Sequence, residues 1–460
     1  MKINKLIGFI AIAAFLQACN LSKDYDMPNY KELEAIRENN ATDSSSFADV
    51  QWDELYKDAQ LNALIQEALD SNVNVNIAIQ NIKSAEAMLM QRKGAQLPSA
   101  TLNSTATQSK LANTISPATG FAQQQYSVYL SASWEIDIWG KYRAAKRSAL
   151  ADLFANQHFL NAVKTRLIAD VSGSYYQLLA YDAQLELSET TVEKRAAYLE
   201  TLKALKEASM VTEADVQQAE ANLAAAQLII PQLKQAIRST ENALSVLLMR
   251  TPGKIERGAL SGQSLNYNFT QGVSALLLGN RPDVMQAEWQ LRSAYEQIHV
   301  ARAQFYPSVT LTGRGGFVSN NPAELFDPTS FFANLAGGLV QPLFNQRLNR
   351  ANLEKQLAAQ KIAVYNYKYA FLNAGREVSD ALFNFEMATE KITHASKQVN
   401  ALEKAVRMNE ELLAYGKVNY TVVLTAEQQF LNAQLSQIDV QLEKYLSLIE
   451  VYRSLGGGWK

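Results

Sequence analysis

Two very long segments without proline constrain the fold of this chain more than any other feature. They run from Arg143 to Lys206 and from Gln346 to Tyr415, and each contains a single glycine. A continuous helix of about 64 residues would extend for ~95 Å, well beyond the size of a globular core, so it needs packing partners along its length. Apolar residues recur at every seventh position in both segments, which predicts coiled-coil packing. These positions are Leu178, Leu185, Val192 and Leu199 in the first segment, and Phe385, Ile392, Val399, Val406 and Leu413 in the second.

The chain contains two copies of one plan, separated by about 207 residues. Arg143-Ala144 recurs as Arg350-Ala351 at this offset, and the offset differs by two residues near the start of each copy. A period this long indicates a duplication and not a solenoid array. We therefore predict two repeats, at 61–272 and 273–460, each with a first helix, two strands and two long helices. The predicted strands are at about 98–109, 124–137, 306–318 and 331–343, and the long helices at about 141–207, 212–250, 346–415 and 419–455.

The predicted strands alternate polar and apolar residues. From Tyr126 to Asp137 every second residue is apolar, and Ser131, Ser133, Glu135 and Asp137 lie on the polar side. In a soluble sandwich the apolar side would face a core. Each strand also has about the 9 to 11 residues that a tilted transmembrane strand requires. Because four strands cannot close a barrel and lipid does not tolerate unpaired edges, the transmembrane interpretation requires several chains, with the polar side lining the lumen.

The N-terminus is typical of an exported bacterial lipoprotein. Lys2 and Lys5 precede a short apolar run that predicts a signal peptide at 1–18, and the run ends in Leu-Gln-Ala-Cys at Cys19. This ending resembles a lipobox, whose cysteine receives the lipid; a plain secretory signal with an incidental cysteine is the alternative. Asn20 stands where an aspartate would retain a lipoprotein in the inner membrane, so the resemblance implies the outer membrane. Residues 19–60 are predicted to form a lipid-anchored N-terminal segment.

Charge and residue types argue against several other functions. The net charge is −2 and the basic residues are dispersed along the chain, which gives no footprint for nucleic acid. The histidines, His158, His299 and His394, lie far apart, and a single cysteine cannot form an intrachain disulfide. No catalytic triad, phosphate loop or metal-ligand spacing is present in the sequence. We therefore expect no enzymatic activity, no cofactor and no nucleic-acid partner.

Several motifs, taken in order, resemble the TolC family, and in particular its lipoprotein branch, which serves resistance-nodulation-division multidrug pumps. RPDV and ARAQFYPS are similar to the opening of the family's second repeat, and WEIDIWG and QPLF to its strand-to-helix crossings. LGGGW is similar to the ending of the lipoprotein branch. The motifs lie at 281–284, 301–308, 134–140, 341–344 and 455–459, respectively. Together they extend from residue 134 to residue 459 of the 460-residue chain.

The resemblance implies an α+β membrane protein with two internal repeats per chain. In a homotrimer, twelve strands would close one outer-membrane β-barrel, continued by a long periplasmic α-helical coiled-coil barrel. Such a protein is the outer-membrane channel of a tripartite efflux system. It conducts small molecules passively from an inner-membrane pump and a periplasmic adaptor (membrane fusion) protein to the exterior, and acylated Cys19 would anchor it in outer-membrane lipid. A type I protein-secretion duct, a heavy-metal efflux duct and a periplasmic coiled-coil scaffold lipoprotein are the alternatives.

Two helix-to-helix turns are the expected docking sites for the adaptor. Local chemistry predicts turns at 208–212 and 415–419, with Gly416 as the left-handed residue that ends a helix. Thr212 and Asn419 suit N-caps, and Thr212 with Asp215 approximates a capping box. By chemistry alone these are simply turns, but the family docks its adaptors at the corresponding tips. The predicted docking residues are Ser209, Met210, Val211, Thr212, Gly416, Lys417, Val418 and Asn419.

A constriction at the periplasmic entrance is expected beside the same turns. Many members of the family carry an acidic residue at the position of Thr425, so a carboxylate ring here would have to come from elsewhere. The candidates for the constriction are Glu213, Asp215, Thr421 and Thr425. For Glu213 and Asp215 a local role is the alternative, because both lie in the first turn of a helix, where acidic side chains interact favourably with the helix dipole.

Overall fold

The computed structural model describes residues 50–109, 123–263 and 280–459. The predicted signal peptide, Cys19 and the loop between the first two strands lie outside the described residues. Within them the chain forms eight α-helices and four β-strands. Their order is α1 (Trp52–Leu55), α2 (Ala59–Ser71), α3 (Val73–Gly94), β1 (Ser99–Ser109), β2 (Gln123–Ile136), α4 (Lys141–Glu207), α5 (Glu213–Leu247), α6 (Pro282–Ala303), β3 (Ser308–Ser319), β4 (Phe331–Val340), α7 (Leu348–Ala414) and α8 (Tyr420–Ser454).

Two α-helices of 67 residues each, α4 and α7, are the longest elements. Both coincide with the segments that lack proline, and the predicted heptad positions in both are buried or half-buried. Gly173, the single glycine of α4, faces α8, and a Cβ at this position would lie 3.5 Å from Cδ2 of Leu446. Packing along one stripe therefore stabilises these helices, as their length requires.

The strand and the helix at the second strand-to-helix crossing have different ends from those predicted, and α5 ends at Leu247 instead of at about 250. The sequence predicts a strand to 343 and a helix from 346, but β4 ends at Val340 and α7 begins at Leu348. Pro342 has no N–H to donate to a sheet. Gln346 and Arg347 both have left-handed backbones, with φ of 56° and 64°, which delays the start of the helix. Neither residue is a glycine, so the sequence carries no sign of this turn.

The four strands form one antiparallel sheet in the order β1-β2-β3-β4. Ser131 of β2 is paired with Thr101 of β1 on one side and with Arg314 of β3 on the other. Arg314 is paired in turn with Asn334 of β4. This register determines which side chains share a face, because side chains alternate along each strand. Within the described residues β1 and β4 each pair with one neighbour, so the sheet is open at both edges.

The chain divides into two compact units, each of which takes segments from both predicted repeats. The strand unit contains the sheet, and its described residues are 81–109, 123–157 and 286–368. The described residues of the helical unit are 50–80, 158–263, 280–285 and 369–459. No helix among all these residues is both long enough and apolar enough to cross a membrane.

In the strand unit, α4 packs against α6 through polar and aromatic contacts. Arg147 donates to both carboxylate oxygens of Glu296, at 2.8 and 2.7 Å. The hydroxyls of Ser148 and Ser293 are hydrogen-bonded at 3.0 Å, and the rings of Phe154 and Trp289 have centroids 4.6 Å apart. Because the bidentate ion pair and the buried serines need matched partners, they fix how these two helices align.

The core of the helical unit is built around two adjacent tyrosines of α4. The ring of Tyr176 stacks on that of Tyr445 in α8, with centroids 4.7 Å apart. The hydroxyl of Tyr175 donates to the carboxylate of Asp58 at 2.6 Å, just before α2 begins. Burial raises the pKa of both Tyr175 and Tyr176. These contacts connect the short N-terminal helices to the long ones.

The glycines of the C-terminal LGGGW sequence let the tail lie tightly against the helical unit. Gly456 and Gly458 have left-handed backbones, with φ of 83° and 96°. A Cβ at Gly457 would collide with the ring of Tyr452, whose hydroxyl donates to the carbonyl of Val50 at 2.6 Å. A residue with a side chain would therefore either strain the backbone or displace this tyrosine.

Arg281, from the RPDV motif, is buried beside the same tail. It donates to the carbonyl of Ser454 at 2.6 Å and to Glu377 at 2.9 Å. Arg453 donates to the same oxygen of Glu377 at 3.0 Å. Burial alone would raise the pKa of Glu377, but the two arginines outweigh it and lower that pKa. The RPDV motif thus contacts the end of α8, and it also lies against the LGGGW motif, because a Cβ at Gly456 would lie 3.2 Å from Cα of Arg281.

Candidate functional site: the two-faced sheet and the helical turns

One face of the sheet is apolar and uncovered by other described residues. Leu102 of β1, Leu130 of β2 and Leu335 of β4 lie on it, with exposed fractions of 74%, 54% and 76%. Trp134, which the sequence places on the same side, is also exposed, and its indole N–H donates to the carbonyl of Gln96 at 3.0 Å. Large aliphatic side chains in such a continuous array are unfavourable in water and indicate contact with lipid or protein.

The opposite face is polar and carries its own hydrogen bonds. The hydroxyl oxygens of Thr101 and Ser131 lie 2.6 Å apart, and so do those of Thr105 and Ser127. Asn103 donates to the hydroxyl of Ser131 at 2.9 Å. Of the predicted lumen residues, Ser131, Ser133 and Glu135 lie on this face. Small hydroxylated side chains across neighbouring strands form a surface that water can wet.

Asp137, the fourth predicted lumen residue, lies one residue beyond the end of β2. Its two carboxylate oxygens accept from the backbone N–H groups of Tyr142 and Arg143, at 3.1 and 2.9 Å. Asp137 therefore satisfies free donors at the start of α4, where an acidic group also favours the helix dipole. The predicted strand ended at residue 137, whereas the observed strand ends at Ile136 and the side chain of Asp137 binds the start of α4.

The two helical turns have the same backbone geometry. Ser209 and Gly416, which stand 207 residues apart, both have left-handed backbones, with φ of 61° and 66°. In each turn the next residue, Met210 or Lys417, donates its N–H to a carbonyl five residues earlier, at 2.9 Å. This is the hydrogen bond that ends a helix in the Schellman motif. The predicted left-handed role of Gly416 is confirmed.

The helices that follow the turns start differently. Thr212 and Asp215 form the predicted capping box: Asp215 N donates to the Thr212 hydroxyl at 3.4 Å, and Thr212 N donates to the Asp215 carboxylate at 2.9 Å. Asn419 occupies the N-cap position of α8 but makes no side-chain capping hydrogen bond. The first turn is therefore stabilised by its cap more than the second is.

Close to the turns, aromatic stacking and one buried arginine connect the helices of the helical unit. The rings of Tyr198 in α4 and Tyr420 in α8 are stacked, with centroids 4.2 Å apart. Arg195, only 7% exposed, donates to the backbone carbonyl of Asn222 in α5 at 2.7 Å and to the side chain of Gln428 in α8 at 2.9 Å. One guanidinium thus links three helices.

Arg195 shares its surroundings with a carboxylate. Burial lowers the pKa of Arg195, and the charge of Glu427 opposes this effect. Burial raises the pKa of Glu427. The positive charge of Arg195 opposes this rise, and the negative charge of Glu410 adds to it. These residues line a cavity of about 600 Å³ within the helical unit. A partly desolvated acid in such a place favours its neutral form.

The predicted entrance residues are all engaged in local contacts. Glu213 forms an ion pair with Lys206 across the turn, and this contact is the main cause of its lowered pKa. Thr212 lowers the pKa of Asp215 through the capping box. The hydroxyl of Thr425 donates to the carbonyl of Thr421 at 2.8 Å. The helix-start interpretation accounts for the capping contacts of Asp215, whereas Glu213 pairs with Lys206 of the preceding helix.

In the part of the chain that the structure describes, no group of three or more His, Cys, Asp or Glu side chains is placed to hold a metal ion.

A protein-family model described as "Outer membrane efflux protein" matches the chain at residues 64–248 and 273–457. These two ranges cover more than half of the chain. The chain belongs to this family. Its members are outer-membrane channel proteins of efflux systems and not enzymes, and this efflux protein is placed in the outer membrane accordingly.

Relatives of this efflux protein match it from end to end. The solvent efflux pump outer membrane protein SrpC of Pseudomonas putida is 28% identical over 468 residues, covering 100% of this chain and 99% of its own. The cation efflux system protein CusC of Escherichia coli O157:H7 is 28% identical over 463 residues, covering 99% of each chain. The solved open state of the Neisseria gonorrhoeae MtrE outer membrane channel has a TM-score of 0.87 at 26% identity, covering 96% of this chain and 99% of that one.

The sequence alone did not single out Arg195 or Arg314 as functional candidates. For Arg195 a signal was available: it stands seven residues after Ser188 and seven before Leu202, and all three are buried. A charged residue in a buried heptad stripe indicates a specific polar contact between helices. For Arg314 the decisive fact is which residues stand beside it in the sheet, which requires the register.

Proposed function

We propose that three copies of this chain assemble into one channel that crosses the outer membrane and continues into the periplasm. The observation that carries this proposal is the open four-stranded sheet with an exposed apolar face and a polar face. In lipid, unpaired edges of β1 and β4 would be costly, so the sheet needs neighbours. Three four-stranded sheets give a closed barrel of twelve strands, an even number in the range of known barrels.

The orientation of the faces follows from the same argument. The leucine-rich face meets lipid, and the face with Ser131, Ser133 and Glu135 lines the water-filled lumen. The long helices α4 and α7 with their partners α5 and α8 form the wall of the periplasmic part. The two matched ranges of the family model support the division into two repeats. Acylated Cys19 provides a second attachment to the outer-membrane lipid.

The turns at 208–212 and 415–419 are the proposed docking sites for a periplasmic adaptor, which connects the channel to an inner-membrane pump. Met210 is 73% exposed, and Lys417 is exposed at the equivalent position of the other turn. The near-identical backbone geometry of the turns supports docking in two similar modes per chain. Thr421, Thr425, Glu213 and Asp215 remain the candidates for the constriction beside them.

The exported molecules are proposed to be small toxic compounds. Relatives of equal identity, 28%, are named for solvent efflux and for cation efflux. Sequence identity to these relatives is therefore the same for a solvent channel and for a cation channel. Substrate choice is assigned to the pump, and the channel conducts passively.

Assembly and conduction test this proposal together. Cross-linking in native outer membranes should trap a trimer, and the purified trimer should conduct ions in planar bilayers. Only monomers or dimers in the membranes would contradict it. Fractionation of Cys19→Ala separates a channel from a lipoprotein scaffold, because a barrel remains in the membrane without its lipid and a scaffold leaves it.

A further inference from the structure

An arginine stands near the middle of the polar face of the sheet. Arg314 of β3 is exposed, and its partners on the neighbouring strands are Ser131 and Asn334. Its guanidinium carbon lies 5.9 Å from the centroid of the Tyr129 ring, at the outer limit of a cation–π contact. The ring is uncharged, so this contact leaves the positive charge of Arg314 in place.

Gly316 makes room for the tyrosine beside this arginine. Gly316 is paired with Tyr129 across β2 and β3, and a Cβ there would collide with the carbonyl of Val128 and with Tyr129 itself. On β4, the ring of Phe332 meets the Tyr129 ring edge-on, with centroids 6.0 Å apart. The Tyr129 ring is therefore held between Phe332 and the guanidinium, and its position is set by packing and not by chance exposure.

Among the described residues, one charged side chain on the polar face has no ion-pair partner. In the described strands, Glu135 and Arg314 are the only charged side chains on this face. Glu135 pairs with Lys141 and accepts from the hydroxyl of Tyr142 at 2.8 Å. Within the part of the chain that the structure describes, Arg314 forms no ion pair. Among the described residues of this face, Arg314 is thus the one charged side chain without an ion pair, beside hydroxyl, amide and apolar groups and the paired Glu135.

We propose that Arg314 makes the lumen of the barrel selective for anions. This inference rests on the proposed function, because only a closed trimer turns three polar faces inwards. Three guanidinium groups at one height of the lumen attract chloride and small carboxylates and repel cations. At physiological ionic strength, salt screens charges beyond about 8 Å. The guanidinium groups therefore act mainly on solutes that pass close to the lumen wall.

Reversal potentials across a KCl gradient test the proposal on the purified trimer. Arg314→Gln should shift the reversal potential towards that of potassium, and Arg314→Glu should shift it about twice as far because the charge changes by two. Arg314→Lys, the matched control, should retain the wild-type value, since it keeps the charge and loses only the ring contact. Unchanged reversal potentials in conducting Gln and Glu variants would overturn the proposal.

A second variant keeps the arginine in place. Asn334→Asp puts a carboxylate on the strand directly opposite Arg314 and should shift the reversal potential as Arg314→Gln does. If the Arg314 variants fail to assemble, the Asn334→Asp variant provides the test. A wild-type reversal potential in a conducting Asn334→Asp trimer would refute the role of Arg314. A wild-type protein that conducts no ions would instead refute the proposed channel.

Discussion

Ser209 and Gly416 occupy equivalent places in the two helical turns and share a left-handed backbone, with φ of 61° and 66°. A residue other than glycine raises the conformational free energy of this backbone by about 1–2 kcal/mol. A Cβ at Gly416 would meet open space, so the cost of a substitution there comes from the backbone alone. The first turn bears this cost with serine, and its capping box offsets part of it.

We first predict that Gly416→Ala loosens the second turn. The left-handed alanine should raise the rate of amide hydrogen exchange for residues 412–420 by about tenfold, which corresponds to about 1.4 kcal/mol of local opening free energy. Hydrogen exchange followed by mass spectrometry measures it. Ser209→Gly is the control and should not accelerate exchange in the first turn. Equal rates for wild type and Gly416→Ala would show that the turn is not held in this conformation.

Second, we predict that Met210→Glu combined with Lys417→Glu abolishes efflux without preventing assembly. Both side chains are exposed and neither position needs the left-handed backbone, so the turns should keep their geometry. Met210 is substituted in place of Ser209, because Ser209 has the left-handed backbone of this turn. The measurement is drug resistance restored to a deletion strain, with trimer yield as the check on folding.

The matched control for this prediction is Gln235→Glu combined with Lys397→Glu. These residues are exposed within α5 and α7, away from the turns in sequence, and the change in net charge is the same. The control should restore resistance. If the Met210 and Lys417 variant restored resistance equally well, adaptor docking at these turns would be wrong.

Third, we predict that Leu130→Arg impairs assembly far more than Ser133→Arg does. Both residues belong to β2, but they lie on opposite faces. An arginine facing lipid near the bilayer midplane costs about 2–4 kcal/mol, whereas one facing a wet lumen costs little. Leu130 is a sharper probe than Trp134, because Trp134 lies near the strand end and also donates a hydrogen bond. Equal trimer yields in outer membranes would refute the assignment of the faces.

Fourth, we predict that two carboxylates affect stability with opposite dependence on pH. Arg281 and Arg453 lower the pKa of Glu377 against the effect of burial, so the folded state binds its proton less tightly than the unfolded chain. The stabilisation by Glu377 is present above the ordinary glutamate pKa of about 4.3 and is lost as pH falls through the lower folded value. Glu377→Gln should cost on the order of 2 kcal/mol at neutral pH.

Glu427 provides the opposite case. Burial raises its pKa, so its ionised form opposes folding at neutral pH and this cost disappears as pH falls through the raised value. Glu427→Gln should therefore raise the thermal unfolding midpoint at pH 7 and have no effect in acid. Scans of both variants between pH 7 and pH 3 at one scan rate provide the comparison. The same sign of effect for both variants at neutral pH would contradict these assignments.

Fifth, we predict that Gly457→Ala destabilises the helical unit. The added Cβ collides with the ring of Tyr452, and overpacking of this kind costs about 1–3 kcal/mol. A lower thermal unfolding midpoint should result. Gly262→Ala is the control, because a Cβ at Gly262 meets no atom within 4 Å. A wild-type midpoint for Gly457→Ala would mean that the tail does not pack on Tyr452.

Local patterns in the sequence determined the features that depend on neighbouring residues. The absence of proline and the heptads of α4 and α7 predicted long packed helices, and alternation in β2 predicted a strand with two unlike faces. Thr212 with Asp215 and Gly416 predicted helix ends, because caps and left-handed glycines act within a few residues. The motifs that resemble the TolC family led to the family that the comparison then showed.

Only the tertiary structure decided the features that depend on residues distant in sequence. Asp137 lies beyond the strand and binds the start of α4, and Gln346 and Arg347 are left-handed without glycine. Arg281 meets the C-terminal tail across more than 170 residues, which no local pattern encodes. Which described side chains stand beside Arg314 was decided by the register of β2, β3 and β4, because pairing between strands assigns each side chain its neighbours.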